Sequence, residues 1–249
     1  MKLFLEIALL FKRKALETIR QPVWIISGLI TPLLYLIFFG PLLKGLNIAD
    51  DNVLNLFLPG ILSLLAFGSG MGAGWGVVWE LQSGVIERFR VMPISRFSLM
   101  FGPVLRDVII FIIQALFVIL IGSIFGFDIH WAGSAVMLLL LSMMTAIISA
   151  WSASLGLIFQ NIESLAAVVT GLQLPLTLLS GAMLPISVGP KWLQIIAHIN
   201  PLYYTVEASR TLAKGTINSS AVLYAFLIIV PLTVLVLGWA AQVYRKAIS

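Results

Sequence analysis

Residues 79–107 read WELQSGVIERFRVMPISRFSLMFGPVLRD, the longest polar interruption in an otherwise apolar chain. Glu80, Glu87, Arg88, Arg90, Arg96, Arg106 and Asp107 fall within it, and the flanking sequence carries almost no charge. So many charges belong in water or against a protein partner, because the bilayer interior penalises each of them. Clustered arginines in a short connection place the stretch on the cytoplasmic side. Pro93 ends one helical piece or begins the next, so the sequence predicts two short amphipathic pieces broken near Met92 and Pro93. That shape suits a docking element; the plainer reading is a solvated loop with scattered charges.

The rest of the chain is oily. Of its 249 residues, 60% are hydrophobic and 10% charged, with a mean hydropathy of +1.08. Those values lie far outside the range of a water-soluble domain and indicate an integral membrane protein. A span takes about 20 apolar residues, so the length fits around six helices and leaves little for a soluble domain. The expected unit is one membrane domain, 1–249. The net charge of +5 comes from basic residues at the ends of apolar segments. Bilayer orientation explains them, and nucleic acid is set aside as a partner. The absence of cysteine excludes disulfides and thiolate chemistry. The N-terminal run ends in Lys12, Arg13 and Lys14 without a small-residue cleavage site, so it does not read as a cleaved signal peptide.

Working outward from the polar stretch toward the N-terminus, span two covers 54–79. Gly68, Gly72 and Gly76 form one small-residue stripe on it, and Gly70 and Gly74 form another. Such stripes let helices approach closely. A phosphate cradle would need a Gly-Lys-Ser/Thr sequence, which is missing. Span one, 23–43, carries Trp24 as an interface anchor and exits to Lys44, Asp50 and Asp51. Before it, residues 2–20 place Lys2, Glu6, Arg13, Glu17 and Arg20 on one helical face, opposite Leu3, Phe4, Ile7, Phe11 and Ala15. This predicts an interfacial helix within 1–21, bent toward the bilayer at Pro22. It either anchors the first span or contacts a partner.

In the other direction, span three covers 105–127. Span four covers 135–159 and carries Ser142, Thr145, Ser149, Ser152 and Ser154, hydroxyls that read as interhelical glue. Span five, 164–183, contains Thr170, Gln173 and Thr177, with a break at Pro175. Gln173 is either bonded by another helix or lines a wet path. Residues 184–216 are too polar and too interrupted by Pro185, Pro190 and Pro201 to span. They predict an external rim of short re-entrant helices, with Glu207 and Arg210 paired one helical turn apart. Span six, 221–243, leads to Tyr244, Arg245 and Lys246.

Six spans place both termini in the cytoplasm. Lys2, Lys12, Arg13, Lys14, Arg20, Arg88, Arg90, Arg96, Arg106, Arg245 and Lys246 then lie inside, and Lys44, Lys191, Arg210 and Lys214 outside, as basic-residue asymmetry requires. Both histidines, His130 and His198, fall outside, and no metal-ligand spacing, acid cluster or nucleophile motif stands at membrane depth. No catalytic residue and no metal site are expected. The chain also lacks a Gly-x-x-x-x-Gly-Lys-Ser/Thr sequence, so it does not read as able to hydrolyse ATP itself, and any energy has to arrive from elsewhere.

Three segments carry a resemblance. Gly84-Val-Ile-Glu-Arg-Phe-Arg-Val-Met-Pro-Ile-Ser-Arg96, Ser180-Gly-Ala-Met-Leu-Pro185, and Asn200-Pro-Leu-Tyr-Tyr204 followed by Arg210 occur in this order. They are similar to the coupling segment, the span-five exit and the rim of ABC-2 type transporter membrane subunits. That family includes bacterial drug-resistance permeases and exporters of polysaccharide and lipooligosaccharide. The similarity covers nearly the whole chain and is specific for the family, not for the cargo.

The resemblance implies an all-α membrane protein of six spans, with an N-terminal interfacial helix and re-entrant external helices. It implies a coupling element within 80–104, with Gly84, Glu87, Arg88, Arg90, Pro93 and Arg96 facing a separate ATP-binding subunit. Two copies of that subunit would carry ATP and Mg, and a second permease, identical or related, would complete the transporter in the cytoplasmic (inner) cell membrane. Spans two and five would line the path, with Phe57, Phe67, Trp75, Thr170, Gln173 and Thr177 as candidates, each equally a packing residue. The 184–216 rim, with Pro185, Asn200, Pro201, Tyr203, Tyr204, Glu207 and Arg210, would shape the exit. The expected cargo is an amphipathic or hydrophobic molecule such as a drug, peptide antibiotic or lipid-linked compound, with polysaccharide or lipooligosaccharide as the alternative. A secondary carrier is less favoured, because the spans show no ionisable coupling residue.

Overall fold

A computed structural model describes residues 2–45, 53–90, 92 and 94–248. The described elements are helical: α1 (Lys2–Arg20), α2 (Val23–Gly45), α3 (Val53–Met71), α4 (Ala73–Gln82), α5 (Val85–Arg90), α6 (Arg96–Ile124), α7 (Trp131–Phe159), α8 (Ile162–Leu178), α9 (Lys191–Ala197), α10 (Pro201–Ala213) and α11 (Ser220–Ile248), with a 3-10 turn at Ile186–Val188. Helices are the expected solution in lipid, since each satisfies its own backbone N–H and C=O groups. Among the described residues four stretches are long and apolar enough to cross a membrane: Leu54–Gln82 (α3 continued by α4), Arg96–Ile124, Trp131–Phe159 and Ser220–Ala247. The chain bends by 68° between α1 and α2, and this pair counts as a fifth if taken as one broken span. The bend at Pro22 expected from the sequence is there. The chain is a multi-pass membrane protein.

α7 is the axis of the bundle, packed by α3, α4, α6, α10 and α11. In the apolar window of the α3–α4 span 72% of residues are buried, against 17% for α11, so α3–α4 is an inner element and α11 a peripheral one. Phe67, Phe111, Met137, Leu140, Leu141 and Met144 fill the main core. A second cluster of Leu10, Val77, Ile86, Met100, Leu157 and Tyr244 lies toward the polar segment.

The two glycine stripes have different surroundings. A Cβ on Gly70 would stand 2.8 Å from the Ser149 nitrogen, and one on Gly74 would stand 2.6 Å from the Ser152 carbonyl oxygen. Only glycine allows these backbones to touch. Around Gly68, Gly72 and Gly76 a Cβ would meet nothing within 4 Å. The glue assigned to the span-four hydroxyls is present in part. Thr145 Oγ1 donates to the Ala66 carbonyl at 3.1 Å, Ser152 Oγ to the Met71 carbonyl at 2.6 Å and Ser149 Oγ to Asp107 at 2.5 Å. Ser154 turns back to Ala150 of its own helix.

The polar stretch is shorter than its charges indicate. α4 continues to Gln82, and α6 begins at Arg96 and runs unbroken past Arg106 and Asp107. Three of the charges expected in water or on a partner, Glu80, Arg106 and Asp107, are matched inside the chain. Glu80 takes Arg13 at 2.6 Å and Lys14 at 3.0 Å, and Asp107 is buried against Arg106 at 3.1 Å and Ser149. α1 makes this possible by lying along α6, where Leu10 closes on Gly102 and Arg106 donates to Thr18 Oγ1 at 3.2 Å. Its Glu6, Arg13 and Lys14 therefore point into the protein, and Phe4, Leu5, Leu9, Leu16 and Ile19 are exposed. A buried amide was also not foreseen. Gln114 of α6 donates to the Ile25 carbonyl at 3.0 Å and accepts from Ser69 at 3.3 Å, joining α6 to α2 and α3.

Pro175 does not break span five. It sits inside α8, and Leu179 N–H donates to its carbonyl at 3.0 Å. The chain leaves the helix at Ser180 and Gly181, where Gly181 takes φ +70°. The exit of span one, with Asp50 and Asp51, and the Lys44 side chain lie outside the described residues.

Candidate functional site

The coupling residues predicted from the sequence occupy the short connection between α4 and α6. Gly84 takes φ +70°, a conformation glycine adopts without strain, and turns the chain into α5. Ile86 buries its side chain and anchors α5, which leaves Glu87 and Arg88 exposed. Arg96 opens α6, and its Nη1 is buried without a hydrogen-bond partner. Pro93 and the Arg90 side chain lie outside the described residues.

α1 grips this connection at both ends. Arg13 and Lys14 hold Glu80 before it, and the Arg13 guanidinium lies 5.0 Å from the Phe89 ring centre in α5. After it, Glu6 accepts from the Ser95 N–H at 2.9 Å and from Ser98 Oγ at 3.1 Å. A carboxylate there satisfies an otherwise free donor at the start of α6 and opposes the positive end of the helix dipole. Glu6 and Arg13 stood on the predicted face of α1 and Lys14 did not, and the partners of Arg13 and Glu6 are 67 to 92 residues away in sequence. No local periodicity could name them.

At the opposite end of the α3–α4 span the rim motifs converge. Asn200 caps α10 through the Leu202 N–H at 3.1 Å and reaches the Leu176 carbonyl of α8 at 2.7 Å. Pro201 fills the first helical position, where its missing N–H costs nothing. Pro185 precedes the 3-10 turn. Tyr203 and Tyr204 pack edge to face at 5.4 Å, and the Tyr204 hydroxyl donates to the His198 carbonyl at 3.0 Å. Arg210 is the centre of the group. It donates to the Gly181 carbonyl at 2.6 Å, to the Leu56 carbonyl at 3.2 Å and to Glu207 at 2.9 Å. The pairing with Glu207 matches the sequence expectation; the carbonyls of α3 and of the turn after α8 do not follow from it. Burial pushes the guanidinium below the ordinary arginine range, and Glu207 works against that shift.

The path candidates separate by exposure. Phe57 and Phe67 are buried inside this chain, Phe57 with its ring 5.7 Å from Phe39. Trp75 is half-buried against the main core. Thr170 and Gln173 are exposed on α8, while Thr177 turns its hydroxyl back to the Gln173 carbonyl at 2.8 Å.

This arrangement has a bundle spine, a polar connection clamped by the N-terminal helix, and a proline-rich rim at the far end. Residues 6–213 match the sequence profile of the ABC-2 type transporters. The chain belongs to the ABC-2 type transporter membrane family. Among its relatives, ycf38 of Cyanophora paradoxa, named as a transport permease, is 33% identical over 213 residues, 83% of this chain and 73% of that protein. The ycf38 protein of Porphyra purpurea is 30% identical over 219 residues, covering 85% and 75% of the two chains. The daunorubicin resistance ABC transporter permease protein DrrB1 of Streptomyces coeruleorubidus is 27% identical over 199 residues, covering 78% and 70%. The ABC-2 family membership makes this chain an ABC transporter permease.

Proposed function

We propose that this permease is half of the membrane part of an exporter that moves an amphipathic or hydrophobic molecule out of the cytoplasm. The observation that carries the cargo class is the similarity to a daunorubicin resistance permease. In this reading the six spans are α2, α3–α4, α6, α7, α8 and α11, with both termini cytoplasmic, and α9 and α10 form the re-entrant external rim. Two ATP-binding subunits supply ATP and Mg. Each receives the α4–α6 connection, with Gly84, Glu87, Arg88, Arg90, Pro93 and Arg96 at the contact; the exposed Glu87 and Arg88 support that role. A second permease, identical or related, completes the transporter. The exposed Thr170 and Gln173 of α8 then face the path between the two copies.

ATP binding biases the two transport conformations only through contacts that differ between them. The α4–α6 connection is where those contacts form. The test is to isolate the chain from detergent-solubilised membranes with its ATPase and titrate turnover with daunorubicin and, separately, with a lipooligosaccharide. Stimulation by daunorubicin is expected, and stimulation by the saccharide alone would overturn the cargo class. Glu87→Ala and Arg90→Ala are expected to lower stimulated turnover by about tenfold while leaving insertion intact. Unchanged stimulation in both would remove the docking role of the connection.

A further inference from the structure

We propose that the α3–α4 span is jointed at Gly72 and that Ser152 of α7 is the positioning residue that holds the joint. The inference rests on the coupling role of the α4–α6 connection.

The ladder changes at one residue, Gly72, between Met71 and Ala73; its backbone stays helical (φ −65°, ψ −18°) and its carbonyl accepts the Gly76 N–H at 3.4 Å. Ser152 is fully buried beside it. Its hydroxyl accepts the Gly74 N–H at 3.1 Å and donates to the Met71 carbonyl at 2.6 Å. Backbone groups on both sides of Gly72 are thus bonded to a neighbouring helix. A side chain inserted into a helix ladder is an established cause of local bending.

Space around the joint is one-sided. On the inner face Gly74 touches Ser152, and a Cβ on Gly156 would stand 2.6 Å from the Gly74 carbonyl oxygen. On the outer face, a Cβ on Gly68, Gly72 or Gly76 would meet no neighbouring element within 4 Å. Both arms are fixed at their far ends. α3 is tied to the rim through the Leu56 carbonyl and Arg210, and it abuts Ala182 at Gly60. α4 is tied to α1 through Glu80 and continues into the connection. A displacement of the connection that leaves the rim in place is taken up between those two anchors, and Gly72 is where the ladder changes there.

Gly72→Ala tests this with little risk to folding. Its φ of −65° suits alanine, the added methyl enters open space, and alanine favours a continuous helix. Gly68→Ala is the matched control, because it lies on the same open stripe inside unbroken α3. The natural chain has no cysteine, so nitroxides can be placed at Gln82→Cys and Asn218→Cys, both exposed sites. Labelled chains are diluted with unlabelled ones and bound to the ATPase partner.

A non-hydrolysable ATP analogue is expected to shift the nitroxide distance by about 5 Å, the scale of one helical turn, in the otherwise unsubstituted chain and in Gly68→Ala. Gly72→Ala is expected to lose most of that shift and to lower ATP-driven daunorubicin transport by roughly tenfold. Ser152→Ala is expected to broaden the distance distribution before nucleotide is added. A full shift in Gly72→Ala overturns the joint alone. Equal loss in Gly68→Ala overturns it too and assigns the effect to the open face as a packing surface. No shift in the unsubstituted chain defeats the coupling role and the joint with it.

Discussion

Arg210→Ala is expected to destabilise the protein by about 3–5 kcal/mol, the cost of removing one partner from a buried charged network. The guanidinium is 4% exposed and bonds three segments that are distant in sequence. Truncation removes the donor of the Gly181 carbonyl, and a buried acceptor left without one costs roughly 1–3 kcal/mol; the Leu56 carbonyl lies inside α3 and keeps its helical partner. The ion pair with Glu207 adds less, because that side chain is 35% exposed and water screens it. Arg210→Lys keeps the charge but not the planar fork, so it is expected to recover only part of the loss. Thermal unfolding in lipid-containing detergent measures both variants. A loss below about 1 kcal/mol in Arg210→Ala would show that the Gly181 carbonyl finds another donor.

Gly60→Ala is expected to cost about 3 kcal/mol, at the upper end of what overpacking a tight interior costs. The new methyl would stand 1.9 Å from the Ala182 carbonyl oxygen and 2.8 Å from its carbon, and both are backbone atoms. Nothing flexible can give way, so α3 and the turn after α8 have to separate. That separation also stretches the bonds from Arg210 to Leu56 and Gly181, so the two substitutions act on one joint. The double variant is therefore expected to cost less than the sum of the singles. Strictly additive melting shifts would show that the two contacts are independent.

What was legible in the sequence followed from length, composition and local spacing. The apolar runs located the long helices to within a few residues at several ends, as with 135–159 against Trp131–Phe159. Pro22 marked the bend between α1 and α2, and Asn200 and Pro201 marked the start of α10. The start of α6 was misplaced because a run of charges looks like a loop when its partners are unknown. Once α1 covers α6 and Glu6 takes the Ser95 N–H, those turns are ordinary helix. Pro175 was misplaced for a related reason, since proline inside a membrane helix is tolerated when neighbours satisfy the freed groups.

The sequence by itself determined the class of molecule, a helical membrane chain, because bilayer thickness and backbone hydrogen bonding leave few other uses for such apolar runs; its three motif segments carried the resemblance to the ABC-2 family. It also determined which residues are small, charged or capping, and hence what each was able to do. Only the tertiary structure decided which of two equivalent glycine stripes meets α7 and which stays open, because both repeat every four residues and differ only by rotation about the helix axis. It likewise decided that Arg13 and Lys14 meet Glu80, that Ser152 stands beside Gly72 and that Arg210 holds three backbones together. These are contacts between segments far apart in the chain, and packing sets them where local periodicity carries no information.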